Sequence, residues 1–108
     1  VDIPDIEILE KNIHAGNKYM RFILDHYFAD AEMDELNKHL FAFASYNAGP
    51  NRIAKLRQKA AQQGYDPNIW FDNVETVVGR EVGREPITYV ANVFKYYVTY
   101  RMVAGQVL

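Results

Sequence analysis

The chain has 108 residues and a formal net charge of −2, so it suits one small domain and lacks the basic excess of an electrostatic nucleic-acid binder. Its longest apolar run, residues 40–44, is far shorter than the roughly 20 residues that span a bilayer. Because the chain has no cysteine, disulfides and thiolate zinc sites are excluded.

The first half of the chain predicts two helices. An acidic lead-in over residues 1–11 is followed by Asn12, a suitable N-cap residue. From residue 13 to residue 28, apolar side chains recur in steps of three and four, which predicts one helix. Asp34 is the predicted cap of a second helix that runs towards residue 47.

The second helix is predicted to end at a corner over residues 45–50, Ser-Tyr-Asn-Ala-Gly-Pro. Gly49 can adopt a positive φ just past a helix end, and Pro50 is suited to begin the next helix. This pattern is typical of an ordinary junction between two helices. However, a Tyr46 hydroxyl and an Asn47 amide side by side can also hold a polar ligand.

The second half predicts further helices and no strand. A third helix is predicted from residue 50 or 51 to residue 63, with Gly64 as its left-handed stop. Its basic side chains predict a solvated outer face, with contact to an anionic polymer or partner as the alternative. They are Arg52, Lys55, Arg57 and Lys59.

Two more helices are expected after a turn at Asp66-Pro67. Asp72 and Glu75 have the spacing of a capping box, which predicts a helix to about residue 82. Pro86 is predicted at the first position of the last helix. That helix carries apolar residues on two sides, which favours a buried, central position.

Patterns that carry catalytic chemistry are mostly missing. No phosphate-binding glycine loop and no H-E-x-x-H pair occurs, and His14, His26 and His39 are too far apart for a metal pair on one helix. Ser45 lacks the G-x-S-x-G context of a serine nucleophile. Paired carboxylates lie at helix starts or in the lead-in, where capping explains them. We therefore predict no metal, no cofactor and no catalytic acid within this chain.

Three segments in the same order resemble one family. Residues 43–50 resemble the Ala-Tyr-Asn-Ala-Gly-Pro motif of the soluble-type lytic transglycosylases, relatives of goose-type lysozyme, with Ser45 in place of the usual alanine. Residues 12–20 resemble the family's Asn-Ile-x-Ala-Gly-x-x-Tyr-Leu helix, and residues 85–90 its late Glu-x-x-x-Tyr-Val motif. Residues 68–75 further resemble the subgroup with an upstream solute-binding domain.

The resemblance implies an all-α, lysozyme-like domain of about five helices without a sheet. Members cleave the β-1,4 bond between N-acetylmuramic acid and N-acetylglucosamine in peptidoglycan and leave a 1,6-anhydro product, which implies the bacterial periplasm or cell envelope. By the same resemblance, Tyr46 contacts the catalytic Glu or the adjacent sugar, and Asn47 binds an N-acetyl or hydroxyl group. Ala48, Gly49 and Tyr89 complete the implied substrate-binding set.

One departure from the family is decisive for the expected activity. The family's catalytic Glu lies in a Glu-Ser motif that precedes a Gly-Leu-Met-Gln motif, and neither motif occurs here. We therefore expect residues 1–108 to be the carboxyl-terminal part of the domain, with the acid upstream of Val1 and no cleavage by the chain alone. Apolar surface uncovered on the last helix would favour a homodimer. A non-catalytic module that binds glycan or a partner, and a purely structural helical bundle, are the alternatives.

Overall fold

The computed structural model describes residue 19, residues 21–28 and residues 32–107. The predicted cap Asn12, His14 and all of the motif at residues 12–20 except Tyr19 lie outside the described residues. The described part contains helices and no strand, which confirms the all-α prediction. Its helices are the π-helical segment α1 (Leu24–Phe28), α2 (Glu35–Ala48), α3 (Pro50–Gln62), α4 (Glu75–Glu81) and α5 (Arg84–Val107). A second π-helical segment, Trp70–Val74, precedes α4 and is irregular at Phe71 and Asp72. None of these helices is long and apolar enough to cross a membrane.

Helix α2 begins at the cap that the sequence predicted. The Asn37 backbone N–H donates a hydrogen bond to Asp34 Oδ1 at 2.8 Å, and the Asn37 side-chain amide donates to the same oxygen at 2.9 Å. These two bonds favour the ionised carboxylate and lower the pKa of Asp34. The direction of α2 is thus fixed from its first turn.

A single residue joins α2 to α3. Gly49 has a φ of 99°, a region that residues with a Cβ rarely adopt, and its N–H donates to the Ser45 carbonyl at 2.8 Å. Pro50 is the first residue of α3, where its missing N–H costs no helical hydrogen bond. The predicted stop at Gly64 is also found, with a φ of 89°. The corner therefore forms as expected from local sequence.

The core is built around three aromatic side chains. Trp70 is fully buried and meets Phe41 edge-to-face, with ring centroids 5.8 Å apart, while Phe28 lies 5.8 Å from Phe41 on another side. The Trp70 backbone N–H is buried too, and it donates to Asn37 Oδ1 at 2.9 Å. Asn37 therefore connects the start of α2 to the loop that carries Trp70.

Arg57 belongs to this core rather than to the predicted outer basic face. Its guanidinium lies 5.4 Å from the Phe28 ring centroid and 5.2 Å from that of Phe41. Its nitrogens donate to the Pro67 carbonyl and to Asn68 Oδ1, each at 2.8 Å. Partial burial lowers the pKa of Arg57. The prediction of a solvated face was wrong for this residue because helical periodicity does not reveal which long side chain folds over an aromatic neighbour.

Two helix starts differ from the predicted ones. Glu75 accepts a hydrogen bond from the Asp72 N–H at 3.2 Å, as a capping box requires, but Asp72 has a φ of 60° and α4 begins only at Glu75. Helix α5 begins at Arg84, two residues before Pro86. Proline is tolerated throughout the first helical turn. Pro86 therefore predicts that a helix begins nearby but not at which residue it begins.

Helix α5 is covered mainly along its first half, and Tyr97 extends this cover by packing against His39 and Phe43 of α2. Pro86 and Val90 are fully buried, and this half packs against α2 and α4. The predicted buried, central position of this helix is wrong for its second half, where several large apolar side chains face solvent because no other described helix covers them. The exposed ones are Tyr96, Val98, Tyr100, Met102 and Val103.

We predict that Asn37→Ala destabilises the fold by about 2 kcal/mol, because it leaves the buried Trp70 N–H without an acceptor. Urea unfolding followed by far-UV circular dichroism measures the change. Asn92→Ala, the same substitution at an exposed position of α5, is the matched control and should change stability by only about 0.5 kcal/mol. Equal effects of the two substitutions would contradict the role assigned to Asn37.

Candidate functional site

Two of the predicted site residues lie side by side. Tyr46 is in the last turn of α2 and Tyr89 in the first half of α5, and their rings stack with centroids 6.3 Å apart and an interplanar angle of 15°. Tyr46 is 52% exposed, whereas Tyr89 is half-buried. The end of one helix and the beginning of another thus present two phenol groups at one place on the surface.

A third tyrosine joins this pair. The Tyr19 ring meets Tyr46 edge-to-face at 5.8 Å and is 44% exposed. Sequence reasoning placed Tyr19 on the apolar stripe of the first helix and missed its contact with the corner. Its position in the Asn-Ile-x-Ala-Gly-x-x-Tyr segment was the available signal, but the partner is 27 residues away in sequence and periodicity does not identify it.

The remaining predicted residues continue from Tyr46 along the chain. Asn47, Ala48 and Gly49 are half-buried at the end of α2. The Asn47 amide can both donate and accept hydrogen bonds, as binding of an acetamido or hydroxyl group requires. Tyr46, Asn47, Ala48, Gly49 and Tyr89, together with Tyr19, are called the tyrosine corner below.

The tyrosine corner is electrically neutral at physiological pH. Burial raises the pKa of Tyr89, and the nearby Tyr46 hydroxyl raises it further because two phenolates would repel each other. Tyr89 therefore keeps its proton and can donate a hydrogen bond. Ring faces and neutral hydroxyls together suit an uncharged polyhydroxylated ligand.

The described residues of this corner include neither an accessible serine nucleophile nor a set of metal ligands. Ser45 precedes Tyr46, but its side chain is fully buried, and its hydroxyl has no hydrogen-bond partner among the described residues. In the same part of the chain, no group of three or more His, Cys, Asp or Glu side chains is placed to hold a metal ion. The described residues of the corner thus offer binding groups rather than a nucleophile or a metal centre.

An all-helical domain in which a Tyr-Asn-Ala-Gly-Pro corner meets a tyrosine of the last helix has the features of a lytic transglycosylase domain. The family model described as Transglycosylase SLT domain matches residues 2–69, and the chain belongs to this family. The resemblance inferred from the three sequence motifs is thereby confirmed.

Similar proteins carry a consistent name. A protein of Pseudomonas fluorescens named membrane-bound lytic murein transglycosylase F is 30% identical over 101 residues, which cover 82% of this chain and 20% of the relative. Proteins of the same name from Stutzerimonas stutzeri and Desulfosudis oleivorans are 30% and 35% identical; the matches cover 91% and 82% of this chain and 24% and 22% of the relatives. The chain therefore spans about a fifth of the length of the curated relatives it matches. No solved structure matches it significantly.

We predict that Tyr46→Phe lowers the pKa of Tyr89 without returning it to the ordinary value of 10.0, because burial remains when the Tyr46 hydroxyl is removed. Selective ¹³C labelling of tyrosine rings and a pH titration by NMR measure this. Tyr100→Phe, at an exposed tyrosine of α5, should leave the Tyr89 titration unchanged.

The raised pKa also predicts the direction of a pH effect on stability. The folded state holds the Tyr89 proton more tightly than the unfolded chain, so this contribution is complete below about pH 10 and decreases as the pH rises through the folded pKa. A pKa of Tyr89 at or below the ordinary value would contradict its half-buried position beside Tyr46.

Proposed function

We propose that this chain supplies one wall of the glycan-binding cleft in a peptidoglycan lytic transglycosylase. The reaction is cleavage of the β-1,4 bond between N-acetylmuramic acid and N-acetylglucosamine, with a 1,6-anhydro product. The observation that carries the proposal is the stacked pair Tyr46 and Tyr89 beside Asn47, in a chain that belongs to the SLT domain family. The names of the relatives, lytic murein transglycosylases, support the same substrate.

The proposed division of labour separates binding from acid–base chemistry. A Glu encoded upstream of Val1 protonates the leaving glycosidic oxygen and then accepts the proton of the muramyl 6-hydroxyl, which attacks the anomeric carbon in place of water. Tyr46 donates a hydrogen bond to that Glu or to the adjacent sugar. Asn47 binds the N-acetyl group, and Tyr89 supports Tyr46 from α5 while its hydroxyl lines the same cleft.

The main-chain polar groups of Ala48 and Gly49 complete this wall. Around Gly49 the position of a Cβ atom would be open, with no heavy atom within 4 Å outside its chain neighbours, so a sugar can approach the main chain there. The location that fits this substrate is the bacterial periplasm or cell envelope, and the relatives are named as membrane-bound proteins.

The activity test uses the full-length parent protein and purified sacculi, with 1,6-anhydro muropeptides counted by mass spectrometry. We expect Tyr46→Phe and Asn47→Ala each to reduce product release by about 10- to 100-fold. Each substitution removes one hydrogen bond to a charged group or to a group that becomes charged in the transition state. Tyr100→Phe is the matched control and should retain the parent rate. Unchanged rates for both corner variants would overturn the proposal in favour of a structural bundle.

The same assay tests the proposal that the catalytic acid lies outside residues 1–108. The 108-residue chain alone is expected to release no 1,6-anhydro product, because acid–base catalysis typically contributes about 10²- to 10⁴-fold. A parent protein that binds sacculi but releases no product would identify the alternative, a non-catalytic glycan-binding module.

We also propose that the chain self-associates through the exposed second half of α5. Met102 is 63% exposed and Val103 lies next to it, and burial of such side chains is favourable by about 25 cal/mol per Å². Static light scattering at increasing concentration should show a dimer that Met102→Glu dissociates. Gln58→Glu, an exposed position of α3, adds the same charge and should leave the dimer intact. A monomer at every concentration would contradict this proposal.

A further inference from the structure

Exposed aromatic rings continue beyond the tyrosine corner. The Phe22 ring stacks with Tyr19 at a centroid distance of 6.3 Å and an interplanar angle of 16°. The Phe22 ring also stacks with His26 at a centroid distance of 4.0 Å and an interplanar angle of 29°. Phe22 and His26 are called the outer pair, and with Tyr19, Tyr46 and Tyr89 they form one continuous line of rings.

This line of rings is exposed along most of its length. Phe22 is 46% exposed and His26 is exposed as well, although both belong to a helical segment whose Ile23 and Phe28 are fully buried. Single exposed apolar residues are common on protein surfaces, whereas a contiguous exposed row contributed by three helical segments is typical of a binding surface. A ligand that covers this row of rings needs flat apolar faces.

The outer pair is held in a defined orientation. His26 Nδ1 lies 3.2 Å from the Phe22 carbonyl oxygen, one turn earlier in the helix, so the protonated Nδ1 donates to that oxygen. This bond orients the imidazole against the Phe22 ring and directs Nε2 away from the backbone. The pair therefore presents the exposed part of the Phe22 ring beside a nitrogen that can bond a hydroxyl.

We propose that Phe22 and His26 form an additional saccharide subsite, which extends the glycan-binding cleft from Tyr46 past Tyr19 along the polymer. This inference rests on the proposed function. Two features favour a glycan: the outer pair is continuous with the tyrosine corner, and the exposed part of the Phe22 ring can contact the apolar face of a pyranose. A subsite this far from the corner is useful only for a polymeric substrate.

Calorimetric titration of the full-length protein with N-acetylglucosamine trimers and hexamers tests the subsite. Phe22→Ala should weaken hexamer binding by about fivefold, since it removes partly exposed ring area that the sugar would cover, and leave trimer binding within about twofold of the parent. Phe22→Leu should weaken hexamer binding similarly, because leucine lacks a flat face. Phe22→Tyr, which keeps an aromatic ring, should bind the hexamer like the parent. Tyr100→Ala, also 46% exposed, is the matched control and should change neither affinity.

The two proposals fail in distinguishable ways. Unchanged trimer and hexamer affinities in Asn47→Ala and Tyr46→Phe would overturn the cleft itself. If those variants weaken both oligomers while Phe22→Ala and Phe22→Leu bind the hexamer like the parent, the cleft stands and the outer subsite is overturned. Equal loss of hexamer binding in Tyr100→Ala would also overturn it, because the effect would not be specific to the outer pair.

Discussion

The hydrogen bond from the buried Trp70 N–H to Asn37 is the constraint on which the fold depends. A backbone donor inside an aromatic core needs an acceptor, and no water reaches it there. The bond from the Asn37 side-chain amide to Asp34 orients that amide so that its Oδ1 meets the Trp70 N–H. One short network therefore caps α2, anchors the Trp70 loop 33 residues later in the sequence, and sets the position against which Phe41 packs.

The same constraint reaches the tyrosine corner through helix α2. Asp34 and Asn37 fix one end of this helix, and Tyr46 stands in the last turn at its other end, about 15 Å away by helical rise. Since α5 packs along α2, the first half of α5 is held where Tyr89 meets Tyr46. A rigid helix with both ends fixed can present a binding group without a supporting loop, which is the preorganisation that a cleft for a long polymer needs.

Features that depend on neighbouring residues were predictable from the sequence. The Asp34 cap, the Gly49 corner with Pro50, and the Gly64 stop each follow from local backbone chemistry, and all are present. The motifs also identified the family, and they placed Tyr46 and Tyr89 in one predicted groove. Contacts between residues distant in sequence could not be derived, because they depend on tertiary packing that periodicity does not encode. They are the hydrogen bond from Trp70 to Asn37, the packing of Arg57 over Phe41, and the contact of Tyr19 with Tyr46.

The exposed apolar residues divide into two chemically different surfaces. In the line of rings, phenyl, imidazole and phenol groups stack or meet edge-to-face, so the rings are ordered and polar atoms lie at their edges. The second half of α5 instead exposes Val98, Met102 and Val103 between its tyrosines, and aliphatic side chains offer area without a flat face or a hydrogen-bonding edge. A pyranose needs both of those features, whereas another protein surface needs mainly apolar area. We therefore propose sugar binding for the rings and protein association for α5, although both surfaces are similarly exposed.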